Sequence, residues 1–446
     1  MGCPKNQVDS EHVLGALTEA GYSLTTDPRS ADLIVITTCA FLQSAVRESE
    51  AAIQEALKLK LDSPNKKVVV AGCLVERYGK SLKRQFPAVD LWVPLADIPH
   101  IPRLLSARGS AFSQFTTHNS HFSAARVLST PGHFAYLKIA DGCDNRCSYC
   151  MIPDIRGPFR SRPMRDIIAE STDLAGAGVK ELILVAQDTT LYGTDIYGKP
   201  SLARLLTKLG KVDGIRWLRL LYTHPAHITE DVIDQFASNP KLCRYIDLPI
   251  QHVADHLLAK MNRGYTRQDV ELLLESLRAI PDMHIRTTII VGLPGETEHD
   301  FAELLAFVRA ARFNRLSCYA YSPEPGTRAA RMSGQVSPAI KKERVRRLML
   351  AQAAISRANL RKLVGRRLTV LVDALTDNRQ GSDSESVTAN CKLGTGHSRA
   401  ARARTQWDAP EIDGVVKLSG RKVRPGRFVQ ALVAGSSTHD LTAQPL

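Results

Sequence analysis

The sequence predicts an α/β protein with two parallel sheets and a small antiparallel β-barrel near its carboxyl end. Short β-branched apolar runs alternate with helical patterns over residues 1–106 and again over residues 132–364. Residues 365–446 have strand-like runs punctuated by glycines, a pattern that is typical of small barrels. Residues 107–131 are rich in Ser, Thr, His and Gly without a clear period, so a linker is predicted there.

The first hundred residues favour a parallel, doubly wound sheet. Their apolar runs do not alternate with polar residues, as expected of strands that are buried on both faces. The predicted strands are Ala31–Thr38, Lys66–Gly72 and Val89–Val93, and the predicted helices are Asp9–Ala20 and Ala45–Lys60. Alternation of strands and helices predicts parallel pairing, because each helix returns the chain to the same edge of the sheet.

The alternation resumes from Phe134 to about Ser322 and predicts an open or partial barrel related to the (β/α)8 fold. The predicted strands are Phe134–Ala140, Lys180–Ala186, Trp217–Tyr222, Tyr245–Ile250, Ile285–Val291 and Leu316–Tyr321. The predicted helices are Arg165–Ala177, Leu202–Leu209, Glu230–Ala237, Arg267–Ala279, His299–Ala310 and the long basic Ser337–Val364.

The tail is predicted to form a small antiparallel barrel of the OB type. Its predicted strands are Arg367–Ala374, Gly414–Leu418 and Phe428–Ala434, and an inserted loop is expected around Asp377–Arg402. Basic residues on this barrel could form a nucleic-acid-binding face, although a solvated face explains them almost as well. They are Arg399, Arg402, Arg404, Arg421, Lys422, Arg424 and Arg427.

The composition is that of an ordinary globular protein, with 44% hydrophobic and 23% charged residues. We expect a cytoplasmic protein without membrane contact, because neither a signal region nor a long apolar run is present. The nine cysteines are odd in number and far apart, which favours metal ligation over disulfides. The net charge of +14 favours contact with nucleic acid or a ribonucleoprotein, and a solvated basic surface is the alternative.

Three closely spaced cysteines form the most specific motif of the chain. Cys143, Cys147 and Cys150 have the spacing C-x3-C-x2-C, directly after the first barrel strand, and no fourth cysteine follows nearby. Three thiolates can hold a [4Fe–4S] cluster and leave one iron open for a reactive ligand. At the carboxyl end of a barrel strand, this arrangement predicts a catalytic cluster. A zinc knuckle is the alternative, but no Cys or His follows at a zinc-ligand spacing.

A second set of cysteines is spread through the first hundred residues. Cys39 and Cys73 each follow a predicted strand, so both are expected at the carboxyl edge of the sheet. Cys3 precedes the first helix and would occupy the same edge if a strand came before it. The three thiols would form a second open cluster, and the alternative is three unrelated buried cysteines. The other cysteines have no ligand spacing, and the first two of them are predicted to be core residues: Cys243, Cys318 and Cys391.

Polar groups follow other barrel strands at the same edge. Gln187–Thr189 follows the second strand, and His252 follows the fourth, where a histidine is more often structural than a base. The glycines of the turn Val291–Glu296 could allow close approach to a nucleoside-like ligand. A plain strand-to-helix turn explains the same residues equally well.

Taken together, these residues resemble the radical S-adenosylmethionine enzymes, and among them the methylthiotransferases, over nearly the whole chain. The resemblance implies a flavodoxin-like methylthiotransferase domain at 1–106, a partial radical-enzyme barrel at 132–364 and a TRAM domain at 365–446. It also implies two [4Fe–4S] clusters, of which the second binds S-adenosylmethionine. Cluster 1 would be held by Cys3, Cys39 and Cys73, and cluster 2 by Cys143, Cys147 and Cys150.

This family has a branch that modifies tRNA at an isopentenyladenosine (MiaB-like) and a branch that modifies an aspartate of ribosomal protein S-twelve (RimO-like). The opening segment Gly2–Glu11 is similar to the second branch, since the tRNA branch typically has Gln-Met-Asn after the cysteine. Ala135–Ala140, Gln187–Gly193 and Ala409–Gly414 also resemble it. We therefore expect a RimO-type enzyme. The alternatives are a MiaB-like tRNA enzyme and, from another class, a zinc-containing RNA-binding protein without catalysis.

The resemblance implies that cluster 2, once reduced, cleaves S-adenosylmethionine to a deoxyadenosyl radical, which takes a hydrogen from the β-carbon of the target aspartate. Sulfur from cluster 1 is then attached, and a second S-adenosylmethionine supplies the methyl group. No catalytic residue is assigned beyond the cluster ligands. The implied partners are ribosomal protein S-twelve or the small ribosomal subunit, a reducing electron donor, and RNA through the basic tail. A monomer is expected. The family's first strand has no counterpart before Cys3, so either the true start lies upstream or Cys3 lies at a frayed terminus.

Overall fold

The computed structural model describes residues 2–106, 126–376, 400–420 and 423–446. Cys391 and most of the predicted linker lie outside these residues, and so do Arg399, Arg421 and Lys422. The predicted α/β fold is confirmed. It consists of two parallel sheets and a closed five-stranded barrel, with a short two-stranded ribbon beside the second sheet.

The amino-terminal sheet is doubly wound, as predicted. Its elements are α1 (Pro4–Glu19), β1 (Leu33–Thr38), α2 (Gln43–Asp62), β2 (Lys67–Gly72), α3 (Cys73–Gln85), β3 (Leu91–Val93) and α4 (Ile101–Ser106). The strands are parallel in the order β1-β2-β3. Val68 and Val70 pack in one apolar cluster with α2 and α3, whereas Val69 and Ala71 pack in a second cluster with α1. Successive β2 residues thus bury opposite faces of the sheet.

The helices α1 and α3 of this domain differ most from the prediction. Helix α1 begins at Pro4 rather than Asp9, since proline is favoured in the first turn, where its missing N–H is not needed. Helix α3 was not predicted, and its first residue is Cys73. Gly72 joins β2 to α3 with φ +103, and an added Cβ would lie 2.9 Å from Thr38 O. The turn therefore requires glycine at this position.

The central domain is built of strand–helix repeats. In chain order its elements are β4 (Phe134–Lys138), β5 (Ala140–Asp141), α5 (Ile152–Arg156), β6 (Arg160–Ser161), α6 (Met164–Gly176), β7 (Glu181–Val185), α7 (Thr194–Tyr197), α8 (Leu202–Leu209), β8 (Trp217–Leu220), α9 (Glu230–Ser238), β9 (Leu242–Asp247), α10 (Asp255–Met261), α11 (Arg267–Arg278), β10 (His284–Val291), α12 (Glu298–Ala311), β11 (Arg315–Ala320) and α13 (Pro338–Arg361). The main sheet is parallel in the order β11-β10-β9-β8-β7-β4, and β5 pairs with β6. It is open between β4 and β11.

The predicted position of the fourth barrel strand was wrong by three residues. It was expected at Tyr245–Ile250, but β9 covers Leu242–Asp247. Pro249 has no N–H to donate to the ladder, so it cannot continue a central strand. The polar side chain of Arg244 interrupts the apolar run, so the start of β9 at Leu242 was not recognised from the sequence.

The tail forms the predicted small barrel, with two strands that the sequence pattern missed. Its strands are β12 (Arg367–Thr376), β13 (Ala400–Thr405), β14 (Val416–Ser419), β15 (Phe428–Ser436) and β16 (Leu441–Pro445). They close in the order β12-β13-β14-β16-β15, and the single parallel pair among them is β14 with β16. The insertion expected around Asp377–Arg402 was predicted to extend too far, because residues 400–402 belong to β13.

The tail barrel and α1 cover opposite ends of the central sheet. At the amino edge, Trp217 begins β8 and packs edge-on against Phe428 of β15, with ring centroids 4.8 Å apart. At the carboxyl edge, Lys138 ends β4 and pairs with Asp9 of α1. One apolar cluster includes residues of the central sheet, of α1 and of the tail. No described helix is long and apolar enough to span a membrane.

Candidate functional site

The structure brings Cys3, Cys39 and Cys73 to one edge of the amino-terminal sheet. Thr38 and Gly72 are paired at the carboxyl ends of β1 and β2, so Cys39 and Cys73 follow neighbouring strand ends. Cys3 directly precedes α1, and its carbonyl accepts a hydrogen bond from Gln7 N. This hydrogen bond joins Cys3 to the first turn of α1.

Asn6 of α1 connects this helix to both strand ends. Its Nδ2 donates to Thr38 O at 2.7 Å, and its Oδ1 lies 3.7 Å from Cys73 Sγ. Burial raises the pKa of Cys73 to about 12 and also raises the pKa of Cys39, while the Arg156 charge lowers both. Cys73 is buried and Cys39 is partly buried, so both thiols would be deprotonated only where a bound cation compensates the thiolate charge. This donor set fits a thiolate-bound metal cluster.

The second cysteine set lies on a loop that follows the β4–β5 segment and begins at Gly142. Gly142 has φ +78, and an added Cβ would lie 2.0 Å from Pro158 O. Cys143 N donates to Gly157 O at 3.2 Å, and Phe159 N donates to Asp144 Oδ1 at 3.2 Å. The loop is therefore held against the segment that leads into β6, and its backbone path requires glycine.

Hydrogen-bond donors surround the sulfur atoms of this loop. Ile152 N donates to Cys150 Sγ at 3.4 Å, and Arg263 Nη1 donates to Cys147 Sγ at 3.5 Å. Burial raises the pKa of Cys143 to about 11 and that of Cys150 to about 12. Donors directed at sulfur stabilise thiolates that a metal has deprotonated. These three cysteines also fit an iron–sulfur cluster.

Asp188, at the carboxyl edge after β7, fixes the position of the Cys143–Cys150 loop. Its Oδ2 accepts a hydrogen bond from Asn145 Nδ2 at 2.8 Å and lies 2.7 Å from His227 Nδ1, while its Oδ1 accepts from Thr190 N at 3.0 Å. Ligand atoms of Asp188, His224 and His227 lie within 4.8 Å of one another, a spacing that could hold a metal ion. Both oxygens of Asp188 are already used, so we assign this cluster to loop positioning.

The histidines of this cluster were missed at the sequence level. The signal was available, since His224-Pro-Ala-His227 follows β8 within a few residues, as Gln187–Thr189 follows β7. Burial, together with the Arg263 charge, lowers the pKa of His224 to about 3, so its ring is neutral. Gln187 was predicted to face the same edge, and its Nε2 donates to Asp141 Oδ1 at 2.9 Å.

A buried charge network connects the two cysteine sets. Arg156 Nη1 lies 3.0 and 2.9 Å from the two carboxylate oxygens of Asp141, and its Nη2 donates to Asn6 Oδ1 at 2.5 Å and to Asp9 Oδ2 at 3.1 Å. Lys138 also pairs with Asp9 and Asp141. Two cations thus share two carboxylates. No sequence signal indicated this network, because its members are up to about 150 positions apart.

The glycine-rich turn after β10 lies against two lysine side chains. An added Cβ on Gly292 would meet the Lys341 side chain at 2.3 Å, and one on Gly295 would meet Lys260 Nζ at 2.5 Å. The N–H groups of Gly292 and Leu293 donate to Glu296. The glycines therefore admit lysine side chains, and the hypothesis of a nucleoside-like ligand at this turn stays a prediction.

Other predicted residues prove to be structural. His252 is fully buried, and its Nδ1 accepts a hydrogen bond from Ala254 N at 3.0 Å. Cys243 is buried in an apolar cluster, and Cys318 is partly buried against another. Arg404 was assigned to an exposed basic face, but it is 2% exposed because it pairs with Glu181 and Asp373.

Three known families match successive parts of the chain. Residues 1–94 match uncharacterized protein family UPF0004, residues 137–308 match the Radical SAM superfamily and residues 394–446 match the TRAM domain. These segments lie within the predicted domains 1–106, 132–364 and 365–446, whose exact boundaries stay a prediction. The fold resembles that of the radical S-adenosylmethionine methyltransferase TsrM from Kitasatospora setae with tryptophan and a SAM analog bound. The TM-score is 0.56 and the identity 16%, over 85% of this chain and 77% of that chain.

The fold and the cysteine sets thus define a radical S-adenosylmethionine enzyme with an additional amino-terminal domain and a TRAM barrel. Two relatives are named ribosomal protein uS12 methylthiotransferase RimO. The one from Pelotomaculum thermopropionicum is 44% identical over 100% of this chain and 97% of its own length. The one from Anaeromyxobacter sp. (strain K) is 44% identical over 100% of this chain and 92% of its own length. The chain belongs to the RimO family of methylthiotransferases, which confirms the family predicted from the sequence.

Proposed function

We propose that the protein methylthiolates the β-carbon of an aspartate side chain in ribosomal protein uS12, the S-twelve protein of the small subunit. The observation that carries this proposal is the pair of cysteine sets at the carboxyl edges of two adjacent sheets, joined through Arg156. A reaction that needs both a radical and a sulfur atom requires two such centres close together. The names of the relatives support uS12 as the substrate.

We further propose two [4Fe–4S] clusters, one on each cysteine set. Cluster 1 is held by Cys3, Cys39 and Cys73, and cluster 2 by Cys143, Cys147 and Cys150. When bound, cluster 2 would supply the electron that cleaves S-adenosylmethionine, and cluster 1 would supply the sulfur. Side chains of the protein position the loop of cluster 2 and donate to its sulfur atoms. Arg263 donates to the Cys147 sulfur, and Asp188 holds the loop through Asn145.

The proposal also covers partners and location. A ribosomal substrate places the enzyme in the cytoplasm, and reduction of cluster 2 requires an electron donor. We expect the enzyme to act as a monomer. Exposed basic side chains on the tail barrel support an RNA contact on the ribosome. They are Arg402, Lys417, Arg424 and Arg427.

The substrate is tested with anaerobically reconstituted enzyme, S-adenosylmethionine and a low-potential reductant. Purified uS12 and bulk tRNA are incubated separately, and each is analysed for the methylthio mass increment. We expect the increment on uS12, located by tandem mass spectrometry on one aspartate. A product on tRNA without one on uS12 would support the MiaB-like alternative and overturn the proposal.

The metal content tests the non-catalytic alternative. Anaerobically purified and reconstituted protein should contain about eight iron atoms and as many sulfide ions per chain. The triple variant Cys143→Ala, Cys147→Ala, Cys150→Ala should retain about four of each and lose all cleavage of S-adenosylmethionine. Zinc without sulfide in the unmodified protein would identify a zinc-containing binding protein instead.

A further inference from the structure

Lys5 is a buried residue whose ammonium group has no acceptor among the described residues. It lies in the first turn of α1, two residues after Cys3, and is 7% exposed. Its Nζ lies 3.4 Å from the centroid of the Tyr222 ring. Within the described ranges, Nζ forms neither an ion pair nor a hydrogen bond. An aromatic face covers one side of an ammonium group and leaves other N–H donors free.

Lys5 differs in this respect from the other buried cations of the described chain. Buried charges are normally paired, because their removal from water is costly. Every other buried Lys or Arg side chain that is described donates to at least one oxygen or sulfur atom. These residues are Lys66, Lys138, Arg156, Arg219, Arg263, Arg286, Lys341, Arg344 and Arg404.

The position of Lys5 is between the two cysteine sets. It follows Cys3 by two residues on α1, and Asp9 of the same helix is linked through Arg156 to Asp141, which precedes Cys143 by two residues. Tyr222, under the ammonium group, follows β8 at the carboxyl edge of the central sheet, and its carbonyl accepts from Thr189 N at 3.0 Å. Thr189 is the neighbour of Asp188, which holds the Cys143–Cys150 loop.

Tyr222 is held in an unusual backbone conformation beneath Lys5. Its φ is +59, a left-handed value that a tyrosine rarely adopts. Its N–H donates to Asp247 Oδ2 at 3.0 Å. The charge of this Asp247 carboxylate also acts on that of Lys5. Arg286 Nη1 donates to the other oxygen of Asp247 at 3.0 Å. The carboxylate of Asp247 is thus bound by Tyr222 and Arg286, and the Lys5 ammonium group remains available to a ligand.

We propose that Lys5 is a substrate-binding residue that receives the side-chain carboxylate of the target aspartate. This inference rests on the proposed function, in which the reacting β-carbon is bonded directly to that carboxyl carbon. A carboxylate bound to Nζ would therefore place the reacting carbon between the two cysteine sets. Such a site would select aspartate over asparagine, because an amide does not neutralise the ammonium group.

A binding experiment with two forms of the substrate tests this role. Purified uS12 and uS12 with asparagine at the modified position are titrated against reconstituted wild-type enzyme, and against Lys5→Met and Lys80→Met. Lys80 is exposed on the same domain, so its substitution controls for the change in net charge. We expect wild type and Lys80→Met to prefer the aspartate form by about tenfold to a hundredfold. Lys5→Met should bind both forms equally.

Two further measurements distinguish other roles of the ammonium group. Iron and sulfide contents of Lys5→Met should equal those of wild type, and a loss of cluster 1 would show that Lys5 supports the cluster instead. The carboxylate could also come from S-adenosylmethionine. In that case Lys5→Met would weaken S-adenosylmethionine binding and leave the preference for the aspartate form unchanged, which would overturn the proposal.

The outcomes separate this inference from the proposed function. If wild type modifies uS12 and Lys5→Met still prefers the aspartate form, the Lys5 inference is wrong while the proposed function stands. If wild type yields no methylthiolated uS12 but shows a preference that Lys5→Met abolishes, the proposed function is wrong while the carboxylate site stands.

Discussion

The Arg156 guanidinium donates to the Asn6 side-chain oxygen at 2.5 Å, which joins α5 of the central domain to α1 of the amino-terminal domain. The same oxygen lies 3.7 Å from Cys73 Sγ. Through Asp141, Arg156 also reaches the segment that precedes Cys143. One side chain therefore connects the Cys3, Cys39 and Cys73 set to the segment that holds Cys143, Cys147 and Cys150.

Substitution of Arg156 should destabilise the protein and disturb cluster 1. Arg156→Leu leaves the carboxylates of Asp9 and Asp141 with Lys138 as their remaining ion-pair partner among the described residues, at a cost of about 3–5 kcal/mol. Urea unfolding measures the cost, and iron analysis measures the cluster. Arg165→Leu is the control, because that side chain is 80% exposed. Equal midpoints for the two variants would contradict the bridging role.

A methyl group on Gly142 should displace the loop of cluster 2. Gly142→Ala would place Cβ 2.0 Å from Pro158 O, so the loop must move. Gly178→Ala is the matched control, since Gly178 has φ +100 but no atom within 4 Å of the added Cβ. The control should cost about 1–2 kcal/mol for its backbone conformation alone. Gly142→Ala should cost more and lower the iron content, whereas full iron content would refute the steric argument.

Arg263 should raise the reduction potential of cluster 2. Its Nη1 donates to Cys147 Sγ, and a cation next to sulfur stabilises the reduced, more negative state. Arg263→Met should shift the potential downwards by on the order of 50 mV. Arg263→Lys should shift it less. Redox titration followed by electron paramagnetic resonance gives the values, with the exposed Arg204→Met as control. An unchanged potential in Arg263→Met would exclude this role.

Glu181 should make stability depend on pH. Burial raises the pKa of Glu181, but Arg404 and Arg219 more than offset this effect, so the folded-state pKa is lower than the ordinary 4.5. Its stabilisation is therefore fully present above pH 4.5 and is lost as the pH falls towards the folded-state pKa. Glu181→Gln should unfold more easily at pH 7, by about 3–5 kcal/mol.

The difference between wild type and Glu181→Gln should shrink below pH 4.5. Urea unfolding at several pH values measures it, and Glu55→Gln, on the exposed side of α2, is the control. A difference that stays constant with pH would show that Glu181 is not ionised in the folded protein.

Local patterns in the sequence predicted the fold and the positions of the cysteines after the strands. Contacts between distant segments could not be predicted from such patterns. The Cys143–Cys150 spacing is local, and Cys39 and Cys73 could be placed because their strands were recognised. Strand β13 was missed since its inward residues are alanines, Ala401 and Ala403, which give a weak apolar signal. The Arg156 network could not be predicted, because ion pairs between distant segments leave no periodic pattern.

The contact of the tail barrel with the amino edge of the central sheet has a practical consequence for experiments. Leu371 and Ala409 of the tail are fully buried in one cluster with Tyr136 and Ile183. Truncation before β12 would expose this cluster to water and leave Glu181 without Arg404. Loss of activity after such a deletion would report misfolding rather than a lost binding site. The proposed RNA contact of the tail is better tested by charge reversal at outward residues such as Arg402 and Lys417, which leaves this buried cluster intact.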